Sequence, residues 1–256
     1  MRKSSVLSIA VGSAVALVPF VAVAPAQAAV PTSAPVVTAP AAVQAAVHTA
    51  SSPERKPGST KATPRVNPPL LRLGATGPAV TSLQTELGTK GYWSGKPSGR
   101  YDHSTAQAVM AVQKVAGLGR DGVAGPATRA ALDKGVMPKA RSTKGRVLEI
   151  DLQRQIMLLV VDGKVTSVIN TSTGTKATPT PKGTYRVFRQ INRWHTAPLG
   201  KLYRPKYFFR GYAVHGVADG SIPGRPASHG CARVSTKAMD MLWNGGLRIG
   251  DQVRVY

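Results

Sequence analysis

The chain is nearly without cysteine: its 256 residues hold one, Cys231. A disulfide within the chain is therefore excluded. A four-ligand structural zinc site of Cys and His is excluded near it as well, because His215 and His229 bring the local ligand count to three at most. Acidic residues are also scarce, with 11 Asp and Glu against 34 Lys and Arg. Long apolar runs are limited to one, from about Val6 to Val23, and no cysteine stands at its end, which excludes a lipid-anchored lipoprotein.

That run has a basic head, Arg2 and Lys3, and a small-residue end, Ala26-Gln27-Ala28. The three-part pattern predicts a secretory signal peptide over residues 1–28, cut after Ala28. A membrane anchor is the competing reading, but Pro19 breaks the run. Once the leader is removed, no membrane span is expected, and the chain is expected to be monomeric. An exported protein meets oxidising conditions, where cysteines usually pair. A lone one then points to an intermolecular bond or a reactive thiol. Without Arg2 and Lys3, 32 basic residues face 11 acidic ones. Such a surface attracts polyanions. Export argues against nucleic acid and for anionic polymers of a bacterial envelope, or the charge serves solubility alone.

Composition divides the rest of the chain. Residues 29–67 are mostly Ala, Pro, Val, Thr and Ser, with little apolar surface to offset the entropy of ordering, and read as a disordered linker. Residues 68–136 carry helical spacing: Val80, Leu83 and Leu87 in one stretch, then Ala108, Val109, Val112 and Val115 in a second, with Ser104 as its expected cap. "GPATRAALDKG" predicts a third helix, with Pro126 in its first turn and Gly135 at its exit. About seventy residues is near the lower limit for unaided folding. Residues 145–256 alternate apolar and polar positions, and Asp162-Gly163 predicts a two-residue hairpin turn. Only "TKAMDMLWNGG" looks helical there. The expectation is a multidomain chain of α and β parts: three small helices, then a mainly β sandwich or partial barrel.

The cysteine sits in "SHGCARV", residues 228–234. A thiolate attacks where a thiol barely does, and a free thiol with a pKa of about 8.5 needs help from an imidazole or a positive potential. It also needs donors aimed at the oxyanion that forms on the attacked carbonyl. Gly230 lets the backbone approach closely, so its N–H and that of Cys231 can share one oxygen. His215, at the end of the apolar stretch "GYAV", can accept the thiol proton. Read singly, Cys231 could be a small buried residue and each histidine structural. Together with the export signal they read as an active site.

Two resemblances bear on this. The run with Gly74, Gly77, Val80, Leu83 and Gln84, followed by Gly91-Tyr92, Tyr101-Asp102, Thr105, Gln113, Asp121-Gly122 and Gly125-Pro126, resembles the peptidoglycan-binding domain type 1 family. It departs at Val112, where that family usually has Phe. The pattern of His215-Gly216 and, after eleven residues, Ser228-His-Gly-Cys-Ala-Arg-Val resembles the L,D-transpeptidase (YkuD) catalytic domain, as does the Gly-, Thr- and Pro-rich run 172–187. The second resemblance implies Cys231 as nucleophile and His215 as its base. It implies the Gly230 and Cys231 amides as the oxyanion site, His229 as a pocket-shaping residue, Ser228 as the loop anchor and Arg233 as a substrate-steadying cation. The implied reaction releases D-Ala from a tetrapeptide stem through a thioester and forms a 3→3 cross-link, or hydrolyses the stem if water is the acceptor. The implied partners are peptidoglycan stem peptides and glycan, and no cofactor or metal is needed. Tyr203, Tyr207 and Tyr212 are candidates for contacting the stem, or else for packing on a strand face; His195 is expected in a solvated loop.

Overall fold

The computed structural model describes residues 69–218 and 222–256. The expected signal peptide and linker lie outside the described residues, and so does Asp219, the one acidic residue near the His215–Cys231 motif and a weak candidate for orienting the imidazole. Among the described residues no helix is long and apolar enough to cross a membrane.

Three helices come first: α1 (Pro78–Thr89), α2 (His103–Ala116) and α3 (Pro126–Asp133). Val80, Leu83 and Leu87 line the buried face of α1, as their spacing predicts. Pro126 opens α3, and Gly135 follows it at φ +65°. The cap of α2 differs from expectation. Asp102 holds that position, accepting from the Thr105 N–H at 3.0 Å, while Ser104 lies buried two residues on, inside the first turn. A carboxylate there also meets the positive end of the helix dipole, an advantage the serine lacks. Two buried glutamines staple the loops. Gln84 Oε1 accepts from the Ser98 and Gly99 amides, and Gln113 Oε1 accepts from that of Gly122.

Ten strands follow: β1 (Arg146–Asp151), β2 (Ile156–Val161), β3 (Lys164–Asn170), β4 (Gly183–Arg186), β5 (Arg189–Gln190), β6 (Trp194–Ala197), β7 (Gly200–Phe209), β8 (Tyr212–Val217), β9 (Ala232–Ser235) and β10 (Gln252–Val255). One sheet runs β3-β2-β1-β10-β4; the other runs β5-β7-β8-β9, with β6 also paired to β7. The β2–β3 turn has φ of 46° at Asp162 and 79° at Gly163, the conformation that an Asp-Gly hairpin adopts. Helix α4 (Thr236–Met241) precedes a wide turn over Leu242–Gly246.

Side-chain alternation sorts the core. Leu148, Ile150, Met157, Ile169 and Val253 face the second sheet, where Phe208, Val214, Ala232 and Val234 meet them. On the opposite face of the first sheet, Val147, Ile156, Leu158, Val160 and Val168 join a single core with Val80, Leu83, Leu87, Val109, Val112 and Leu132 of the helices. The helical segment is thus the third layer of one body, and not a separate bead ahead of the β domain. Residues 91–93 extend this union by pairing with the edge of β3, with Trp93 N donating to Val168 O at 3.0 Å and Val168 N to Gly91 O at 2.8 Å.

Candidate active site

Strands β8 and β9 run parallel, with His215 opposite Arg233 and Val214 opposite Ala232. Val214, Ala232 and Val234 point into the core, so the pleat turns Ala213, His215, Cys231 and Arg233 to the other face. That face floors a cleft of about 470 Å³. His215, Ser228, His229, Cys231 and Arg233 all line it, with Tyr207, Lys201 and His195. Six of the expected residues, Tyr207 among them, thus share one cavity.

Their electrostatics are set by burial. His215 is 5% exposed. Its Nδ1 lies 2.8 Å from the carbonyl oxygen of Gly216, which can only accept, so Nδ1 carries the proton and Nε2 a free lone pair. Burial, with Arg233 adding repulsion, pushes its pKa down to about 4. The Cys231 thiol is pushed up by burial, while the Ala213 backbone amide and the Arg233 charge pull it back down. Its Sγ lies 3.8 Å from the Gly211 carbonyl oxygen. Burial thus favours the uncharged form of each group, the thiol of Cys231 and the neutral imidazole of His215.

The loop holding the thiol is strapped from below. Ser228 Oγ donates to Cys231 O at 2.5 Å and accepts from Gly230 N at 3.0 Å. Thr180 Oγ1 donates to Gly230 O at 2.6 Å, and Thr178 Oγ1 donates to Ser228 O at 3.1 Å. Ser172 pairs with Arg233 and Gly174 with Ser228 as short bridges. A side chain on Gly174 would overlap the Thr178 carbonyl, and one on Gly230 (φ +115°) would overlap the Tyr212 ring. The Gly230 amide donates to Ser228 Oγ at 3.0 Å, a bond that must open before the amide can serve the expected oxyanion site. The Arg233 guanidinium donates to Ala227 O at 3.2 Å, and its Nε is buried with no acceptor among the described residues.

The three tyrosines part company. Tyr207 lines the cleft. Tyr203 does not: its hydroxyl donates to Asp240 at 2.9 Å and its ring packs at a tilt against Trp194. Between Tyr203 and Lys206 the register of β7 slips by one residue, with Arg204 at φ 47°, so Tyr203 turns to the opposite face. Tyr212 packs over Gly230 and beside Phe209, supporting the loop instead of lining the cleft. His195 sits on β6, not in a loop, edge-on to the Tyr207 ring with centroids 6.5 Å apart. Sequence reasoning expects the basic and aromatic residues of 193–212 to line the approach to the cysteine, and Lys201 does line the cleft; it gives no role to Thr178 or Thr180, although both lie in the Thr-rich run 172–187. Among the described residues no group of three or more His, Cys, Asp or Glu is placed to hold a metal ion.

Comparison with known proteins gives this arrangement its family. The crystal structure of the L,D-transpeptidase (residues 123–326) from Xylanimonas cellulosilytica is 48% identical, covering 74% of this chain and 98% of that one, with a TM-score of 0.70. The chain belongs to the L,D-transpeptidase family. Residues 145–255 match the L,D-transpeptidase catalytic domain and residues 76–132 a peptidoglycan binding domain. A second L,D-transpeptidase structure, from Stackebrandtia nassauensis, is similar at 22% identity over 73% of this chain and 94% of that chain, with a TM-score of 0.46. The N-acetylmuramoyl-L-alanine amidase CwlL of Bacillus licheniformis is 41% identical over 80 residues, which are 30% of this chain and 22% of that enzyme's length. Two peptidoglycan-directed modules in this L,D-transpeptidase chain imply interaction with peptidoglycan and a location at the cell wall.

Proposed function

We propose that the protein is a secreted L,D-transpeptidase that makes 3→3 cross-links between peptidoglycan stems. The observation that carries the reading is the meeting of Cys231, His215 and Arg233 on one cleft face. In this reading His215 Nε2 removes the thiol proton as Sγ attacks the carbonyl of the third stem residue. A C–S bond forms and the carbonyl π electrons move to oxygen. The Cys231 N–H stabilises that oxygen; the Gly230 amide joins it only by leaving Ser228 Oγ. The oxygen's electrons return, the C–N bond to D-Ala breaks, and His215 gives its proton to the departing amine. A thioester remains. The side-chain amine of a second stem attacks it, forms the new amide and returns the thiol.

Charge and shape support the substrate class. Arg233 and Lys201 bring positive charge to the cleft, matching a stem that ends in a carboxylate, while Leu199, Leu202 and Val217 supply apolar wall. His229 is exposed on the cleft's rim. The proposal includes export through the leader at residues 1–28 and a monomeric mature chain. The test is incubation with purified tetrapeptide-stem muropeptides followed by mass analysis. Dimers lighter than two monomers by one D-Ala are expected. Tripeptide monomers alone make the enzyme an L,D-carboxypeptidase, and unchanged substrate together with a thiol inert to carbapenem overturns the catalytic reading.

A further inference from the structure

Helix α2 and the turn after it reach past the shared core to the backbone around the active-site loop. Gln107, Met110 and Lys114 lie along one face of α2. Lys114, 3% exposed, directs its Nζ to Gln155 O at 2.8 Å and Thr171 O at 3.0 Å. Thr171 in turn donates its hydroxyl to Arg233 O at 2.8 Å, and its neighbour Ser172 donates to Arg225 O at 2.8 Å. Gln107 Oε1 accepts from Asn170 Nδ2 at 2.5 Å, and the amide groups of both reach Ile222 O, at 3.4 and 3.5 Å. Arg120, itself exposed, donates to Gly224 O at 2.7 Å. Gly224 fits there because it is glycine: a Cβ would come within 2.9 Å of the Arg120 Cβ.

These contacts grip both backbone segments that frame the thiol, 170–173 beneath it and 222–225 leading into it. Nothing within the β domain replaces the Arg120 bond to Gly224 O among the described residues. We infer that the helical segment is a positioning element of the active site, in which Lys114 and Arg120 fix the loop that presents Cys231 and Arg233. Wall binding and catalysis are thereby built on one rigid frame. The inference rests on reading Cys231 as the acylated residue, and the experiment separates the two.

Arg120 is the residue to test, because its exposure keeps its removal from emptying the core. Arg120→Ala, Arg120→Lys and wild type, all as the full chain, are compared in three measurements: the rate of Cys231 acylation by a carbapenem, amide hydrogen exchange over residues 222–234, and the melting temperature. A misplaced loop costs on the order of tenfold in rate or more when a reacting atom shifts by a fraction of an ångström. Arg120→Ala is expected to slow acylation about tenfold and speed exchange over 222–234 while melting with wild type. Arg120→Lys, which keeps a donor, is expected to recover most of both. Exchange and rate both unchanged in Arg120→Ala overturn the inference, as does faster exchange with an unchanged rate. Wild type inert to carbapenem sinks the thiol reading and with it the active-site role of the helical segment, whereas a reactive wild type with an unaffected Arg120→Ala overturns the positioning role alone.

Discussion

The state of the Cys231–His215 pair has a thermodynamic signature that can be measured without substrate. In the folded protein the buried His215 holds its proton only below about pH 4. In the unfolded chain an imidazole titrates near 6.5. Between those values the unfolded chain binds a proton there and the folded chain does not, so acid favours unfolding. The stability associated with the neutral imidazole is whole above about pH 6.5 and is lost progressively as pH falls to about 4. The difference between the two pKa values corresponds to about 3 kcal/mol. For a body of this size that is a drop in melting temperature of roughly 6–12 °C. Other groups titrate in the same window, so the quantity to follow is wild type minus His215→Gln, in which this titration is gone. Melting curves by circular dichroism, in steps from about pH 7.5 to about pH 4, are expected to show wild type losing the extra stability and the variant not losing it. An imidazolium–thiolate ion pair would invert the result, because its histidine would hold the proton more tightly when folded. Parallel curves, or a wild type that gains on the variant in acid, would refute the neutral pair.

Other outcomes follow from the same geometry. Gly230→Ala places a side chain at φ +115° against the Tyr212 ring and is expected to cost at least about 2 kcal/mol in urea unfolding. Thr180→Val removes the hydroxyl that holds Gly230 O and Gly174 N; a loss of about 1–3 kcal/mol and slower acylation, read by mass spectrometry, are expected. Residues 145–256 alone would expose Val147, Ile156, Leu158, Val160 and Val168, forfeiting on the order of 10 kcal/mol of burial. That fragment is expected to aggregate or bind a hydrophobic dye, whereas residues 69–256 fold. Cys231→Ser is expected to abolish acylation with little change in melting.

Much of this was legible in the chain because it depends on local rules. The spacing of Val80, Leu83 and Leu87 reports a helix face, and Asp162-Gly163 reports a turn, since each is decided within a few residues. The cluster around Cys231 was legible because the chemistry needs those residue types and because their order resembles that of the L,D-transpeptidase catalytic domain. What escaped were effects decided elsewhere. Counting by twos puts Tyr203 and Tyr207 on one face of β7; the slip at Arg204 separates them, and Pro205 beside it, which cannot donate to the ladder, is the one local signal of it. Ser104 loses the cap to Asp102 by a two-residue difference in where the helix starts. The five side chains of the first sheet that face the helices look like ordinary strand residues in sequence. The unbroken apolar run of β2, Ile156–Val161, hints that both sides of that sheet are covered, but only the fold reveals by what.

A shared hydrophobic layer also constrains descent. A recombination that exchanged the first segment for a foreign wall-binding module would hand β1, β2 and β3 a partner never shaped to fit them. The two segments are therefore expected to change in concert, a substitution at Leu83 or Val112 answered by one at Leu158 or Val160. Anyone grafting a new targeting head onto this scaffold must carry the old one along.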